Sequence, residues 1–217
     1  MEDSKPWAPY GGQSLVHLCR HRAEAEPRDP AFLFLADGTE TRDTWSRDVL
    51  DRRARAIAAR LQREDLADGT VLLLFPPGIA FMSAFLGCLY AGAVAVPAPP
   101  PDPVRLKRTL PRLRNILRDA GSKAILTLDR FASLLEDSGA ELGGIERVAI
   151  LALEDIGDDL APAWRASDID PGDLAYLQYS SGSTTAPKGI EITHGNIMHN
   201  AGFISSHTET HTCVYTL

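Results

Sequence analysis

The chain has 217 residues, enough for one large or two small domains. Charged residues make up 24% and hydrophobic residues 44%, the composition of an ordinary globular chain. A formal net charge of −7 excludes a general nucleic-acid binder, whose balance would be basic.

The first residues, Met1 to Trp7, carry no apolar run after their charges, so no signal peptide is expected. Ser14–Ala25 reads as a helix with Ser14 as N-cap and Leu15, Leu18 and Cys19 on one face. A strand over Ala31–Leu35 and a tight turn at Asp37-Gly38 lead to a long amphipathic helix over Thr44–Arg63. Its apolar face holds Val49, Ala56, Ile57, Ala59 and Leu61; Arg47, Asp51, Arg52, Arg55 and Arg63 take the polar side. Thr70–Phe75 is a continuous apolar run of the kind found in a strand buried on both faces.

Pro76–Pro101 contains no charged residue and so meets the crude criterion for a membrane span, roughly 20 apolar residues. Gly87, Gly92, Pro97 and Pro99 argue against one continuous span. The segment divides better into a buried helix over Gly78–Tyr90, a turn at Ala91-Gly92 and a buried strand over Ala93–Pro97. Further alternation follows: helix Leu106–Asp119, strand Lys123–Leu128, helix Arg130–Asp137, strands Val148–Leu153 and Leu174–Tyr179. Strands alternating with helices of this length imply βαβ units with right-handed crossovers, an α/β fold with a largely parallel sheet and flanking helices. Glu154–Asp173 is acidic, holds two prolines and lacks a period, and is expected to be a surface connection.

Cys19, Cys88 and Cys213 form an odd, widely spaced set without metal-ligand spacing, which fits a reducing cytoplasm, with Cys88 a buried structural thiol. His194 reads as a structural residue at the entry to a helix over Asn196–Phe203, and His207 and His211 as surface residues. No metal site is expected. Arg105, Lys107, Arg108, Arg112, Arg114 and Arg118 form a basic cluster that suits an acidic carrier protein or a phosphate as well as plain solvation, and no site is assigned to it.

The chemistry concentrates between two strands. Leu174–Tyr179 runs into Ser180, Ser181, Gly182, Ser183, Thr184 and Thr185, and Pro187-Lys188-Gly189 leads into an alternating strand over Gly189–Thr193. Such a loop offers backbone N–H and hydroxyl donors to an anion, and Lys188 adds a positive charge. It is not a Walker A loop, because Pro187 precedes the lysine and Gly189, not a hydroxyl residue, follows it.

This run, with Thr193-His194-Gly195-Asn196, resembles the phosphate-binding signature of adenylate-forming enzymes, which include acyl-CoA synthetases and nonribosomal-peptide adenylation domains. Most of that superfamily has Gly where this chain has Thr185, and fatty-acyl-AMP ligases commonly carry a larger residue there. Ala91–Pro101, the basic helix that ends in Asp119-Ala120-Gly121 and the strand after it also resemble the fatty-acyl-AMP ligase pattern. The resemblance runs from about Ser14 to about Phe203.

The resemblance implies that residues 1–217 are the N-terminal part of a large AMP-binding domain. It implies ATP as a substrate bound by Ser180, Ser181, Gly182, Ser183, Thr184, Thr185, Lys188 and Gly189, with Mg²⁺ on the phosphates. A fatty acid would be activated and passed to an acyl carrier protein, with no nucleic-acid partner and no membrane span. In the superfamily the adenine pocket, the acidic Mg²⁺ ligand and the catalytic lysine lie further along, so no catalytic residue is assigned here and the chain alone is expected to be inactive. A portion of an acyl-CoA ligase or of an amino-acid adenylation domain, and a non-catalytic nucleotide- or partner-binding fragment, stay open as alternatives.

Overall fold

The computed structural model describes residues 14–36, 40–137, 148–179 and 188–207. They divide into two compact units. The first takes in the described parts of Met1–Asp51, Asp168–Leu174 and Ile192–Leu217, the second those of Arg52–Ser167 and Ala175–Glu191.

In the first unit α1 (Leu15–Ala25) starts where the sequence predicts, with the Ser14 hydroxyl accepting from the His17 N–H at 3.4 Å. Val16 and Leu18, not Leu15, are its buried residues in the first turns. Strands β1 (Pro30–Ala36) and β2 (Glu40–Ser46) pair antiparallel, so Thr44–Ser46 belong to a strand and not to the expected helix. Helix α2 (Arg47–Arg63) begins directly after it. Asp51, expected on the polar side, is buried at 5% exposure, and Arg20 donates to both of its carboxylate oxygens at 3.0 and 2.8 Å. Both bonds come from Nη1 of Arg20, and this ion pair offsets the cost of enclosing the carboxylate. Helix α6 (His194–His207) packs on α1. Its start is fixed reciprocally: Thr193 Oγ1 accepts from Asn196 N–H and Asn196 Oδ1 accepts from Thr193 N–H, each at 3.1 Å.

The second unit is built on a sheet of β3 (Thr70–Leu74), β4 (Val94–Ala98), β5 (Ala124–Thr127), β6 (Ala149–Ala152), β7 (Leu174–Tyr179) and β8 (Gly189–Thr193), in the order β6-β5-β3-β4-β7-β8. Neighbours from β6 through to β7 run parallel. The α/β fold with a largely parallel sheet is therefore as the sequence predicts. Helices α3 (Ile79–Ala91), α4 (Leu106–Asp119) and α5 (Asp129–Asp137) connect the strands.

Val71, Leu72, Leu73 and Leu74 are all fully buried, the reason this strand reads as an unbroken apolar run. Leu72, Leu74, Val96 and Ile125 form one core with Leu110, Leu113 and Ile116 of α4 and Leu135 of α5. Each such side chain taken out of water contributes about 1.5–3 kcal/mol. By strand alternation Val71, Leu73 and Ala95 face the opposite side, and α3 packs on β3 and β4. Helix α3 needs glycine at both ends: Gly78 before it has φ 148° and Gly92 after it φ 83°.

Residues 154–173 hold no strand or α-helix, as expected, but they are more than a surface connection. Ile156 and Ala161 are buried, Arg53 donates to the Leu153 carbonyl at 2.6 Å and to the Ile156 carbonyl, and Trp164 Nε1 donates to the Tyr90 carbonyl at 2.9 Å. The Trp164 and Tyr90 rings pack with centroids 5.5 Å apart.

Candidate functional site

Parallel strands all end on one edge of their sheet, and ligands of such folds gather there. Here that edge carries Leu74, Ala98, Thr127 and Tyr179, the last residues of β3, β4, β5 and β7. β3 leaves the edge into α3 and the adjacent β4 leaves it toward α4, so β4's two neighbours β3 and β7 flank the place where the winding reverses. Thr127 is fully buried there, and its hydroxyl donates to the Leu74 carbonyl at 2.6 Å, which closes a backbone acceptor at the strand end.

β7 delivers the chain to this edge at Tyr179, and the hydroxyl-rich run follows at once. Ser180, Ser181, Gly182, Ser183, Thr184 and Thr185 lie outside the described residues. Lys188 and Gly189, where the chain returns to the sheet at β8, are described, and both are exposed. Gly189 has a packing role that its sequence context does not reveal. A Cβ there would meet Tyr179 Cζ at 3.0 Å and the phenol oxygen at 3.1 Å, so the Tyr179 ring occupies the space a side chain would fill. The ends of β7 and β8 approach this closely because position 189 is glycine.

Tyr179 also makes a contact that no sequence motif signalled. Its hydroxyl donates to Asp119 Oδ2 at 2.6 Å, tying the last residue of β7 to the last residue of α4. Burial first, and then the Asp119 carboxylate as hydrogen-bond acceptor and as charge, push the phenol above its ordinary range. The tyrosine stays protonated and anchors the stem of the loop. Lys188, by contrast, stands in solvent as a point charge at the other end of the loop.

Neither described cysteine competes as a nucleophile. Cys19 is half-buried as a residue but its thiol is enclosed, and desolvation pushes it up to about 12. Cys88 is buried and desolvation pushes its thiol up as well. Among the described residues no three His, Cys, Asp or Glu side chains converge to hold a metal ion. No helix of the described residues is long and apolar enough to cross a membrane.

A largely parallel α/β sheet whose strand β7 ends at the carboxyl edge, just before the hydroxyl-rich run of the sequence, has the framework on which α/β folds bind nucleotides. The chain belongs to the AMP-binding enzyme family, whose model matches residues 19–216. It is 44% identical to the medium-chain-fatty-acid–[acyl-carrier-protein] ligase JamA of Moorena producens, over 88% of this chain and 32% of that protein. It is 34% identical to the long-chain-fatty-acid–AMP ligase FadD32 of Mycolicibacterium smegmatis, over 92% of this chain and 32% of that one. The fatty acyl-adenylate ligase of L. pneumophila, solved with acyl adenylate and pyrophosphate, superimposes with a TM-score of 0.78 at 35% identity, covering 89% of this chain and 32% of that structure. The resemblance to the fatty-acyl-AMP ligase branch is thus borne out. The chain spans about a third of the length of the relatives it matches.

Proposed function

We propose that the protein carrying this chain is an ATP-dependent fatty-acyl-AMP ligase, and that residues 1–217 are the N-terminal part of its AMP-binding domain. A fatty-acid carboxylate oxygen bonds to the α-phosphorus of ATP, the bond to the β-phosphate oxygen breaks, and pyrophosphate leaves with the electron pair. The thiol of an acyl carrier protein then takes the acyl group, releasing AMP and a proton. Ser180, Ser181, Ser183 and Thr184 would donate to the phosphates, Gly182 would let the backbone approach them, and Lys188 would balance the charge that grows on the leaving pyrophosphate. Thr185 marks the acyl-AMP branch, and Gly189 serves the site by letting β8 close on Tyr179.

The observation that carries this reading is where the loop begins and ends. Its two anchors, Tyr179 and Lys188, stand at the carboxyl edge beside the strand where the winding reverses, and Lys188 is an exposed cation there. ATP fits this donor set. Mg²⁺ would ride on the phosphates as a neutralising charge, but the described residues offer no acidic cluster for it, so none of them is assigned as its ligand. The thiols of Cys19 and Cys88 are free, which supports a cytoplasmic setting.

The test is product analysis of the full-length protein with ATP, a fatty acid and either a carrier protein or coenzyme A. Acyl-AMP should accumulate, and the acyl group should pass to the carrier. Efficient formation of acyl-CoA would overturn the branch, and absence of any acyl-AMP would overturn the reaction.

A further inference from the structure

The basic cluster of α4 finds a geometric role in the structure that its sequence could not assign. Between Pro103 and Arg118 there are six cations and no Asp or Glu, in a chain of net charge −7. Leu110, Leu113, Ile116 and Leu117 turn inward, which leaves Lys107, Arg108, Arg112, Asn115, Arg118 and the terminal Asp119 exposed. These positions recur every three or four residues, so they form one stripe along the outer face. The cations that flank Val104 at its head are Lys107, Arg108 and Arg105, the last of which also faces Asp102 at 4.0 Å. Val104 itself is 92% exposed, an apolar side chain with almost no cover from its own fold.

The placement matters as much as the charge. Helix α4 connects β4 to the parallel strand β5, so it runs back against the strands. Its far end lies at the amino edge of the sheet, where the Ala120 carbonyl accepts from the Thr70 hydroxyl at 2.8 Å and Lys123 N–H donates to the Thr70 carbonyl at 3.0 Å. Its head, Val104 to Arg108, therefore lies at the carboxyl edge, just beyond the end of β4. Leu106 and Ala98 both pack on the same core there, which holds the head against the end of β4.

We propose that the head of α4 is a docking surface for an acidic protein, with Arg105, Lys107 and Arg108 meeting carboxylates and Val104 an apolar spot among them. The occupant is the carrier protein that accepts the acyl group. The inference rests on the proposed function for the need of an acceptor, and on charge complementarity and position for its site. An acceptor held at the carboxyl edge delivers its thiol to the side of the sheet where the adenylate would form. Exposed interfacial charges act chiefly on encounter rate and on salt dependence, so the surface should set the acceptor's KM and leave the first half-reaction alone.

The experiment uses the full-length protein, a fatty acid, ATP and a holo acyl carrier protein rich in Asp and Glu. The double variant Lys107→Glu with Arg108→Glu is compared with the parent and with the charge-conserving pair Lys107→Arg and Arg108→Lys. Trapping the adenylate with hydroxylamine should give equal rates for all three proteins. The KM for the carrier should rise about tenfold or more in the glutamate variant with kcat little changed, and should stay near the parent value in the conserving pair. Raising salt to about 0.5 M should shrink the difference. An unchanged carrier KM, with wild-type transfer intact, would overturn the docking surface alone. Adenylate formation without transfer from the wild-type protein to any carrier would overturn the acceptor reading and the surface with it. Loss of binding to phosphatidylserine vesicles with carrier KM unchanged would overturn the surface in favour of a lipid partner.

Discussion

Lys188 and His194 lie six residues apart and face opposite physical demands. Lys188 is exposed and makes no demand on the core, so Lys188→Ala should change unfolding free energy by less than about 0.5 kcal/mol. Loss of a phosphate partner should instead appear as impaired ATP–pyrophosphate exchange by the full-length protein. A large drop in melting temperature with normal exchange would make the residue structural. His194 is only 3% exposed, and its Nδ1 has no hydrogen-bond partner among the described residues. Burial lowers its pKa below the usual 6.5; Asp173 opposes that shift and His17 adds to it. The unfolded chain therefore binds a proton at a pH where the fold resists one. Stability tied to this residue is fully present above about pH 6.5 and is lost as pH falls from there toward the depressed folded value. His194→Gln should flatten the decline in urea midpoint between pH 7 and about pH 5. A decline as steep as the parent's would mean that other groups set it.

At the scale of elements, the packing of α2 on α3 offers the sharpest test. A Cβ placed on Gly87 would lie 2.4 Å from Ile57 Cγ2 and 2.6 Å from Ile57 Cβ. The second of these atoms is fixed by the α2 backbone, so the helices must separate or Ile57 must leave its rotamer. Gly87→Ala should cost about 1–3 kcal/mol, read as a lower urea midpoint, and Ile57→Ala in the same chain should recover part of it. Additive losses in the double variant would refute the close approach. Gly87 stood out in the sequence only as an argument against a membrane span. Its true partner was illegible because Ile57 lies in another helix.

The same limit divides what was legible from what was not. Val71–Leu74 announces a central parallel strand because burial on both faces admits only apolar residues. Thr44–Ser46, by contrast, read as the start of α2, yet pairing with β1 holds these residues in a strand; long-range pairing overrode the local reading. Ile156, Ala161 and Ile169 are buried without either helical or strand spacing, so their segment looked like plain loop. At the site, residue types revealed the phosphate chemistry of the loop, since hydroxyls, glycine and lysine bear it directly. The bond from Tyr179 to Asp119 joins residues 60 apart in sequence, and nothing local marks either as the other's partner.

For the molecule as a whole, the question is how much of a catalyst residues 1–217 make. The chain spans about a third of the length of the relatives it matches. The loop and Lys188 supply part of a phosphate site, while the resemblance places the adenine pocket, the acidic metal ligand and the catalytic lysine further along such proteins than Leu217. The surface points the same way. β8 is an edge strand of the sheet, and on it Ile190 is 53% exposed; on α6, Phe203 is 57% exposed. Edge strands and large apolar side chains left in water favour association with whatever can cover them. A polypeptide of residues 1–217 alone should therefore show no fatty-acid-dependent ATP–pyrophosphate exchange, and it should self-associate in light scattering at concentrations where the full-length protein does not. Addition of the remaining part of the protein as a separate polypeptide should lower the scattering and restore some exchange. A monodisperse monomer that exchanges pyrophosphate unaided would overturn this expectation and place a complete adenylating centre within these residues.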